Sequence, residues 1–582
     1  MLALGLVTLV AEAPAAAKPA GEVEFLLTIL HNNDGESELI GDDFGGIARF
    51  KTLVDDLKRE ATRGPRTSTT TGAKRGVVML SSGDNFLAGP EFNASLEKGP
   101  PFYDAIGLSL VGYDAIAIGN HEFDFGPDVL ADFIESFSSP VPFLSSNIDV
   151  SEEPRLQTLA QQGRIAASTV VRERGERIGI VGATTPQLPF ISSPRNVEVD
   201  PDVAGAIQSE VDGLGAMGVD KIILISHLQS VQEDLALAPM LSGVDVMIAG
   251  GGDELLANPD DRLIPGDTPS APYPLFATDA DGNEVPVVTT SGQYRYVGKL
   301  VAGFDPAGEL VTVNGGPVRV SGVPPDAVEP DPAVQEQVVE PVEESIADLA
   351  ANVIGTSEVN LDGRRESVRT IETNEGNLIA DAFLERGTAL APAFGAPTPD
   401  VAIQNGGGIR NDSIIPPGDI TELDTFDMLP FANFLAIVPD IPRAQFKEIL
   451  ENAVSRVEFV DGRFPQIGGF SMTWDASGTP QILDADMNVT QAGTRVRQVT
   501  LDDGTPIVVN GVVQAGPALD IATIDFSARG GDQYPFRGAP FITLGITYQQ
   551  ALEDYIETVL PGSAITAAQY PEGGEGRITR LN

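Results

Sequence analysis

Only three histidines occur in 582 residues, and each stands where an apolar run ends: His31, His121 and His227. Hard oxygen donors follow the same runs. Asp34 comes after the first run, Asp84 after the second, Asn120 with His121 after the third, His227 after the sixth, and Asp253 with Glu254 after the seventh. Carboxylates, an amide oxygen and an imidazole form the donor set used by paired divalent cations. A carboxylate shared between two ions about 3.5–4 Å apart can hold both, and such a pair generates a hydroxide for in-line attack on phosphorus. A lone histidine at a strand end is as readily structural as catalytic. The amide and the acids at neighbouring strand ends point to chemistry.

These donors depend on the elements that carry them. From residue 24 to about residue 252 the chain repeats one grammar, a short β-branched apolar run, then polar or Gly residues, then a helical pattern. The runs lie at 25–30, 77–80, 115–118, 141–144, 178–181, 222–225 and 244–248. Strands that are continuously apolar are buried on both faces, which predicts stacked sheets covered by helices. Ligands of open α/β sheets sit beyond the carboxyl ends of the strands, so five strand ends are expected to converge on one site.

Residues 321–343 are rich in Pro, Glu and Val, and 332–352 then turns Ala-rich and helical in pattern, which marks a domain boundary. Beyond it, helical stretches at 378–390, 443–457 and 549–559 and strand-like runs at 401–404, 511–514 and 519–524 read as an α+β domain. Asp279-Ala280-Asp281-Gly282-Asn283 looks like half a calcium loop, but it lacks Gly at its sixth position and a later Glu in register, so it is read as a turn.

The second segment carries its own constellation. The run 401–404 leads into Asn405-Gly406-Gly407-Gly408-Ile409-Arg410, a Gly-rich turn that lets backbone approach a ligand and sets a guanidinium beside it. Arg369 precedes Thr373-Asn374-Glu375-Gly376-Asn377, Phe431 lies in Leu429-Pro430-Phe431, and Phe526 and Asp532 bracket Ser527-Ala528-Arg529-Gly530-Gly531. Each of these alone fits a tight turn or a core ring.

Composition narrows the partners. With 84 Asp and Glu against 36 Lys and Arg, the net charge is −48. That excludes a nucleic-acid polymer, whose backbone needs a surplus of bases. Such self-repulsion is easiest to carry in salty water, which predicts a marine or halophilic habitat. The absence of cysteine excludes disulfides, thiolate metal sites and a Cys nucleophile. Residues 2–10 form a short apolar run followed by an Ala-rich segment, 11–20, with small-residue cleavage sites. This predicts an export signal lacking its positive n-region, and a periplasmic or extracellular mature protein. No other stretch reaches the ~18–20 apolar residues of a membrane-spanning helix.

In order along the chain, Leu30-His31-Asn32-Asn33-Asp34, Gly83-Asp84, Gly119-Asn120-His121-Glu122-Phe123-Asp124, His227 and Gly250-Gly251-Gly252 resemble the signature of the calcineurin-like metallophosphoesterases, specifically the secreted 5′-nucleotidase and UDP-sugar hydrolase family. The motifs around Arg369, Asn405, Phe431 and Phe526 resemble the C-terminal domain of the same family, so the likeness runs from about Glu24 to the end. It implies an α/β chain: an N-terminal metallophosphoesterase β-sandwich covered by helices, joined by a helical linker to an α+β substrate-binding domain. The expected segments are a truncated signal peptide at 1–21, the catalytic domain at 22–325, a linker with a helix at 326–355 and a nucleotide-binding domain at 356–582.

The resemblance implies two divalent metal ions, with Asp34 a ligand of the first, Asp84 bridging both, and Asn120 and His227 on the second. His121 is then the imidazole that stabilises the transition state or protonates the leaving oxygen, oriented by Asp124. Phe431 and Phe526 would sandwich the base, Asp532 would accept from the ribose hydroxyls, and Arg369, Asn405 and Arg410, with the Gly407 turn, would hold the phosphate. Two positions depart from the family. Its Asp-x-His is here Asp34-Gly35-Glu36, and its Gly-Gly-His-x-His or Gly-Gly-His-x-Gln is here Gly251-Gly252-Asp253-Glu254. Either the metal site has decayed and the domain only binds, or Glu36, Asp253 and Glu254 rebuild it for Mn, Mg, Ca or Fe rather than Zn. Acids at both altered positions favour rebuilding. The expected activity is hydrolysis of 5′-nucleotides by a metal-activated hydroxide, with closure about 338–352 gating turnover. A broad alkaline phosphatase, a cyclic-nucleotide phosphodiesterase and a non-catalytic nucleotide binder are the alternatives.

Overall fold

The computed structural model describes residues 22–63, 72–252, 254–484 and 487–582. The expected export signal at 1–21 and the candidate ligand Asp253 lie outside the described residues.

The first half is a sandwich of two sheets. In the first, Phe25–Asn32 lies between Tyr296–Phe304, antiparallel, and Lys74–Ser81, parallel. Ala115–Ala117, Phe143–Leu144 and Ile165–Ala166 extend one side and Leu310–Arg319 closes the other. In the second, Val246–Gly250, Ile222–His227 and Glu176–Thr184 run parallel in adjacent positions. The β-branched and apolar runs do what their burial demands: Leu27, Ile29 and Val78 of one sheet pack on Ile180, Ile223 and Ile248 of the other. Helix Ile47–Arg63 covers the outer face of the first sheet with Phe50, Val54 and Leu57, and Val203–Ala216 covers the second with Ile207, Val211 and Leu214.

The sheets approach so closely at Gly182 that a β-carbon there would lie 2.3 Å from the Leu144 carbonyl. Overpacking of this kind costs about 1–3 kcal/mol. Gly182→Ala is therefore expected to destabilise the protein by that amount, read by thermal or denaturant unfolding; unchanged stability would mean that the sheets are free to separate there.

Between the halves runs a helical connector. Asp331 caps it, its carboxylate accepting from the Ala333 and Val334 amides at 2.9 and 3.1 Å. Residues Pro332–Val334 are α-helical, Gln335–Val339 widen into a π-helical turn, and Glu340–Ala351 return to α. Val334, Val338 and Val342 anchor the connector in the core of the first half.

The second half is built on a five-stranded mixed sheet in which Val401–Asn405 and Leu519–Ile524 are central. Helix Asn374–Phe394, capped by the Thr373 hydroxyl on the Gly376 amide at 3.0 Å, packs on one face. Helix Arg443–Ala453 packs on the other, with a second, mixed sheet around Phe470–Asp475 and Val496–Leu501 beyond it. In this half two expectations shorten, as the run at 141–144 does in the first half, where only Phe143–Leu144 pairs as strand. The helix predicted over 443–457 closes at Ala453, because Val454 leaves helical geometry at φ −102°, ψ 8°. The strand expected at 511–514 contracts to Val512–Val513. Asn510 and Gly511 take φ of 50° and 78° as the two-residue turn of a hairpin that pairs Val509 with Val512. Among the described residues no helix is long and apolar enough to cross a membrane.

Candidate active site

The parallel strands of both sheets end at one edge, and the loops leaving them are fixed before any side chain reaches a ligand. Asp34 and Asp84 both adopt left-handed backbone, φ 49° and 51°, a conformation that Asp tolerates better than most residues. Asn33 holds the first. Its Nδ2 donates to Asp34 Oδ2 at 2.5 Å and to the Thr290 carbonyl at 2.8 Å, while its Oδ1 accepts from the Thr290 amide at 3.0 Å. Glu122, wholly buried, accepts from the amides of Asp84, Asn85 and Gly119 at 3.0, 2.8 and 2.7 Å and so joins two loops. Gly119 leaves the room this needs, since a β-carbon there would fall on the Asp84 carboxylate.

His227 faces these acids in a fixed orientation. Its Nδ1–H donates to the Ser82 carbonyl at 2.7 Å, which turns Nε2 toward Asp84 Oδ2 at 2.9 Å and Asn120 Oδ1 at 3.2 Å. One donor atom from each of Asp34, Asp84 and His227 lies within 4.8 Å of the others. Burial, opposed by His227 and reinforced by Asp84, pushes Asp34 up to about 8. Burial also works against charge on His227, but Asp84, Asp34 and the Ser82 carbonyl outweigh it and push the imidazole up to about 10. Two carboxylates and an imidazole whose far nitrogen is held by a carbonyl fit a divalent cation in chemistry and in orientation.

The other predicted ligands are placed less uniformly. Asn120 joins the cluster through His227 and also accepts from Gln229 Nε2 at 2.5 Å. Glu36 lines the cleft above, near enough for its charge to reach both Asp34 and His121. Glu254 stands outside the three-residue cluster. Its buried Oε2 has no hydrogen-bond partner, and it occupies the space where a side chain at Gly252 would go.

His121 sits at the cleft wall, its side chain a quarter exposed. Its Nδ1 meets Asp124 Oδ2 at 2.6 Å, and Asp124 Oδ1 accepts from the Ser192 hydroxyl at 2.8 Å. Nε2 points toward Asp84 Oδ2, 3.8 Å away. Burial opposes protonation, but Asp124 and Asp84 hold the ring well above the usual imidazole range.

Across the cleft lies the second half. Strand Val401–Asn405 delivers Asn405, whose Nδ2 donates to Asp532 Oδ2 at 2.6 Å. The Gly406 and Gly407 amides donate to the carbonyls of Phe464 and Gly462, each at 2.7 Å, which pins the turn. The Arg410 guanidinium lies 5.1 Å over the Phe431 ring. Arg369 is buried with its Nε unpartnered, and burial followed by the charges of Arg365 and Arg410 pulls its pKa down. Three clustered guanidiniums repel one another until an anion neutralises them. The Phe526 ring lies directly over Gly531, where a β-carbon would sit 2.4 Å from it.

A single cleft of about 1280 Å³ joins the two banks. His121, Asp124, Asn120 and Glu36 line it on one side, and Arg369, Asn405, Gly407, Arg410, Phe431, Phe526 and Asp532 on the other. Asp34, Asp84 and His227 lie buried behind the first of these walls, in contact with it through Asn120 and His121. Sequence reasoning passed over Asn33, Glu122, Ser192, Gln229 and Arg365. The last had a signal, since it precedes Arg369 by one helical turn and also lines the cleft. Glu122 lies inside the motif that carries His121.

Comparison with known proteins agrees with this architecture. The family model described as 5′-nucleotidase, C-terminal domain, matches residues 353–538. The chain is 31% identical over 495 residues to the 5′-nucleotidase of Mus musculus, covering 82% of this chain and 79% of that one. It is 29% identical over 537 residues to the trifunctional nucleotide phosphoesterase protein YfkN of Bacillus subtilis (strain 168), covering 87% of this chain but 32% of that longer protein. The crystal structure of a 5′-nucleotidase precursor from Thermus thermophilus superposes with a TM-score of 0.67 at 31% identity, over 96% of this chain and 100% of that one.

Proposed function

Because the chain belongs to the 5′-nucleotidase family and is a phosphoric ester hydrolase, we propose that it hydrolyses 5′-nucleotides to nucleoside and phosphate in the cleft between its halves. The observation that carries this is the cleft itself, with an acid–imidazole bank on one wall and Arg369, Arg410, Phe431, Phe526 and Asp532 on the other.

Asp34, Asp84, Asn120 and His227 would hold divalent cations, with Glu36, Asp253 and Glu254 as further oxygen donors that favour Mn, Mg, Ca or Fe over Zn. Cations bound there supply Lewis-acid polarisation of the phosphoryl group and acidify a water. The chain does the rest. Arg369, Arg410 and Asn405 orient the phosphate, using forked donors that match its oxygens. His121, its Nδ1 tied to Asp124, holds a proton at Nε2 for the developing charge or for the leaving ribose oxygen. Phe431 and Phe526 take the base between them, and Asp532 accepts from the ribose. Since substrate and reacting groups lie on opposite banks, closure about the connector gates turnover. The apolar run at residues 2–10 supports export of the mature chain.

Phe526→Ala tests the nucleotide assignment. Loss of one stacking face is expected to cost ~1–3 kcal/mol, which lowers kcat/KM for AMP about 5-fold to 150-fold. Ribose 5-phosphate keeps the leaving oxygen but lacks a base, so its hydrolysis should be much less affected. An equal loss on both substrates with unchanged stability would identify a broad phosphatase, and an equal loss with a lower Tm would make Phe526 a core residue.

A further inference from the structure

Phe459 is 71% exposed and is one of the side chains that line the cleft. Leaving a large apolar ring in water is unfavourable, and the surrounding loop is built to keep this one in place. The Arg456 guanidinium covers one ring face at 5.1 Å. Arg456 is itself held by Asp461, Nε to Oδ2 at 2.8 Å, and the other oxygen of Asp461 takes Arg463 Nε at 2.9 Å. Between ring and acid, Val460 adopts φ 56°, ψ 38°. A β-branched residue is a genuine outlier in this region, and such strain persists where the surroundings over-determine it, as in ligand clamps.

The loop is also part of the nucleotide-facing bank. The Gly462 carbonyl accepts from the Gly407 amide at 2.7 Å, and a β-carbon at Gly462 would lie 3.3 Å from Asp532 Oδ2. A largely exposed aromatic ring that lines the cleft, backed by an arginine and beside the acid assigned to the ribose, is prepared to receive a planar or sugar surface.

We propose that Phe459 is a third aromatic contact for the nucleoside half of the substrate, a specificity-determining residue outside the Phe431 and Phe526 pair. The proposal rests on the nucleotide reading above. Phe459→Ala is expected to raise KM for AMP about 2-fold to 10-fold, with the effect on KM rather than kcat. The preference for AMP over ribose 5-phosphate falls with it, and Tm tracks the wild type because the ring is exposed. Phe459→Trp restores KM and Phe459→Leu does not, since apolar bulk without a ring cannot stack.

An unchanged KM in Phe459→Ala, alongside a raised KM in Phe526→Ala, overturns the proposal and leaves the nucleotide reading standing. Full recovery by Phe459→Leu overturns it as well, because bulk alone then suffices. If neither alanine variant alters KM for AMP, the nucleotide reading falls and this proposal falls with it.

Discussion

Asp84→Asn is expected to lower kcat/KM for AMP by about 10³-fold or more, which corresponds to the several kcal/mol that charge stabilisation at a metal site contributes. The substitution is nearly isosteric. An amide oxygen at the Oδ1 position still accepts from the His121 amide, now 2.8 Å away, and Glu122 still ties the backbone at residue 84 to Gly119. What disappears is the negative charge facing His227 and Asp34. Divalent ions should be lost with it, measured by ion content of the purified protein and by titration calorimetry. Wild-type protein stripped by a chelator should regain activity best with Mn, Mg, Ca or Fe salts, while Asp84→Asn regains none. Retained turnover in the variant would remove the shared-carboxylate mechanism, and recovery of the wild type by zinc alone would remove the rebuilt oxygen site.

His121→Ala should cost 10²-fold to 10⁴-fold in kcat, about the range of a positioned proton donor, with a smaller change in KM because the phosphate is gripped from the opposite bank. The leaving group separates its two candidate roles. A ribose alkoxide needs a proton as it departs, whereas para-nitrophenolate does not. Loss on AMP much greater than on para-nitrophenyl phosphate assigns His121 as the acid. Equal loss assigns it to charge stabilisation on the phosphoryl oxygens. A loss below about tenfold on both, outside the range for either role, would leave the Nδ1 contact with Asp124 as a structural pair.

The strand-end donors were legible because buried parallel strands have continuous apolar runs, and the chemistry begins where each run stops. Val401–Asn405 and the Gly turn after it were legible for the same reason. The supports were not. Asn33 and Glu122 act through backbone amides of loops distant in sequence, and no periodicity announces such contacts. Gln229 reaches Asn120 only because its own backbone turns to φ 85°. Glu36 and Glu254 were alike in sequence as acids replacing histidines, but the fold treats them differently. One lines the cleft, and the other turns back against Gly252 with one buried, unpartnered oxygen. The contraction of the strand at 511–514 was visible in Asn510-Gly511, a hairpin signal that apolar content outweighed in the reading.

The two banks of the cleft are encoded in separate stretches of chain, the imidazole and acid loops before residue 260 and the arginine and phenylalanine loops after residue 360, with a capped helix between them. Under the proposed roles, substitutions in the later stretch change which molecule is held while leaving the bond-breaking groups in place, and substitutions in the earlier stretch change the ions while leaving the grip intact. On that proposal selectivity and catalytic power are separately heritable, so a lineage could shift its diet of phosphate esters by drift in one half without passing through an inactive ancestor.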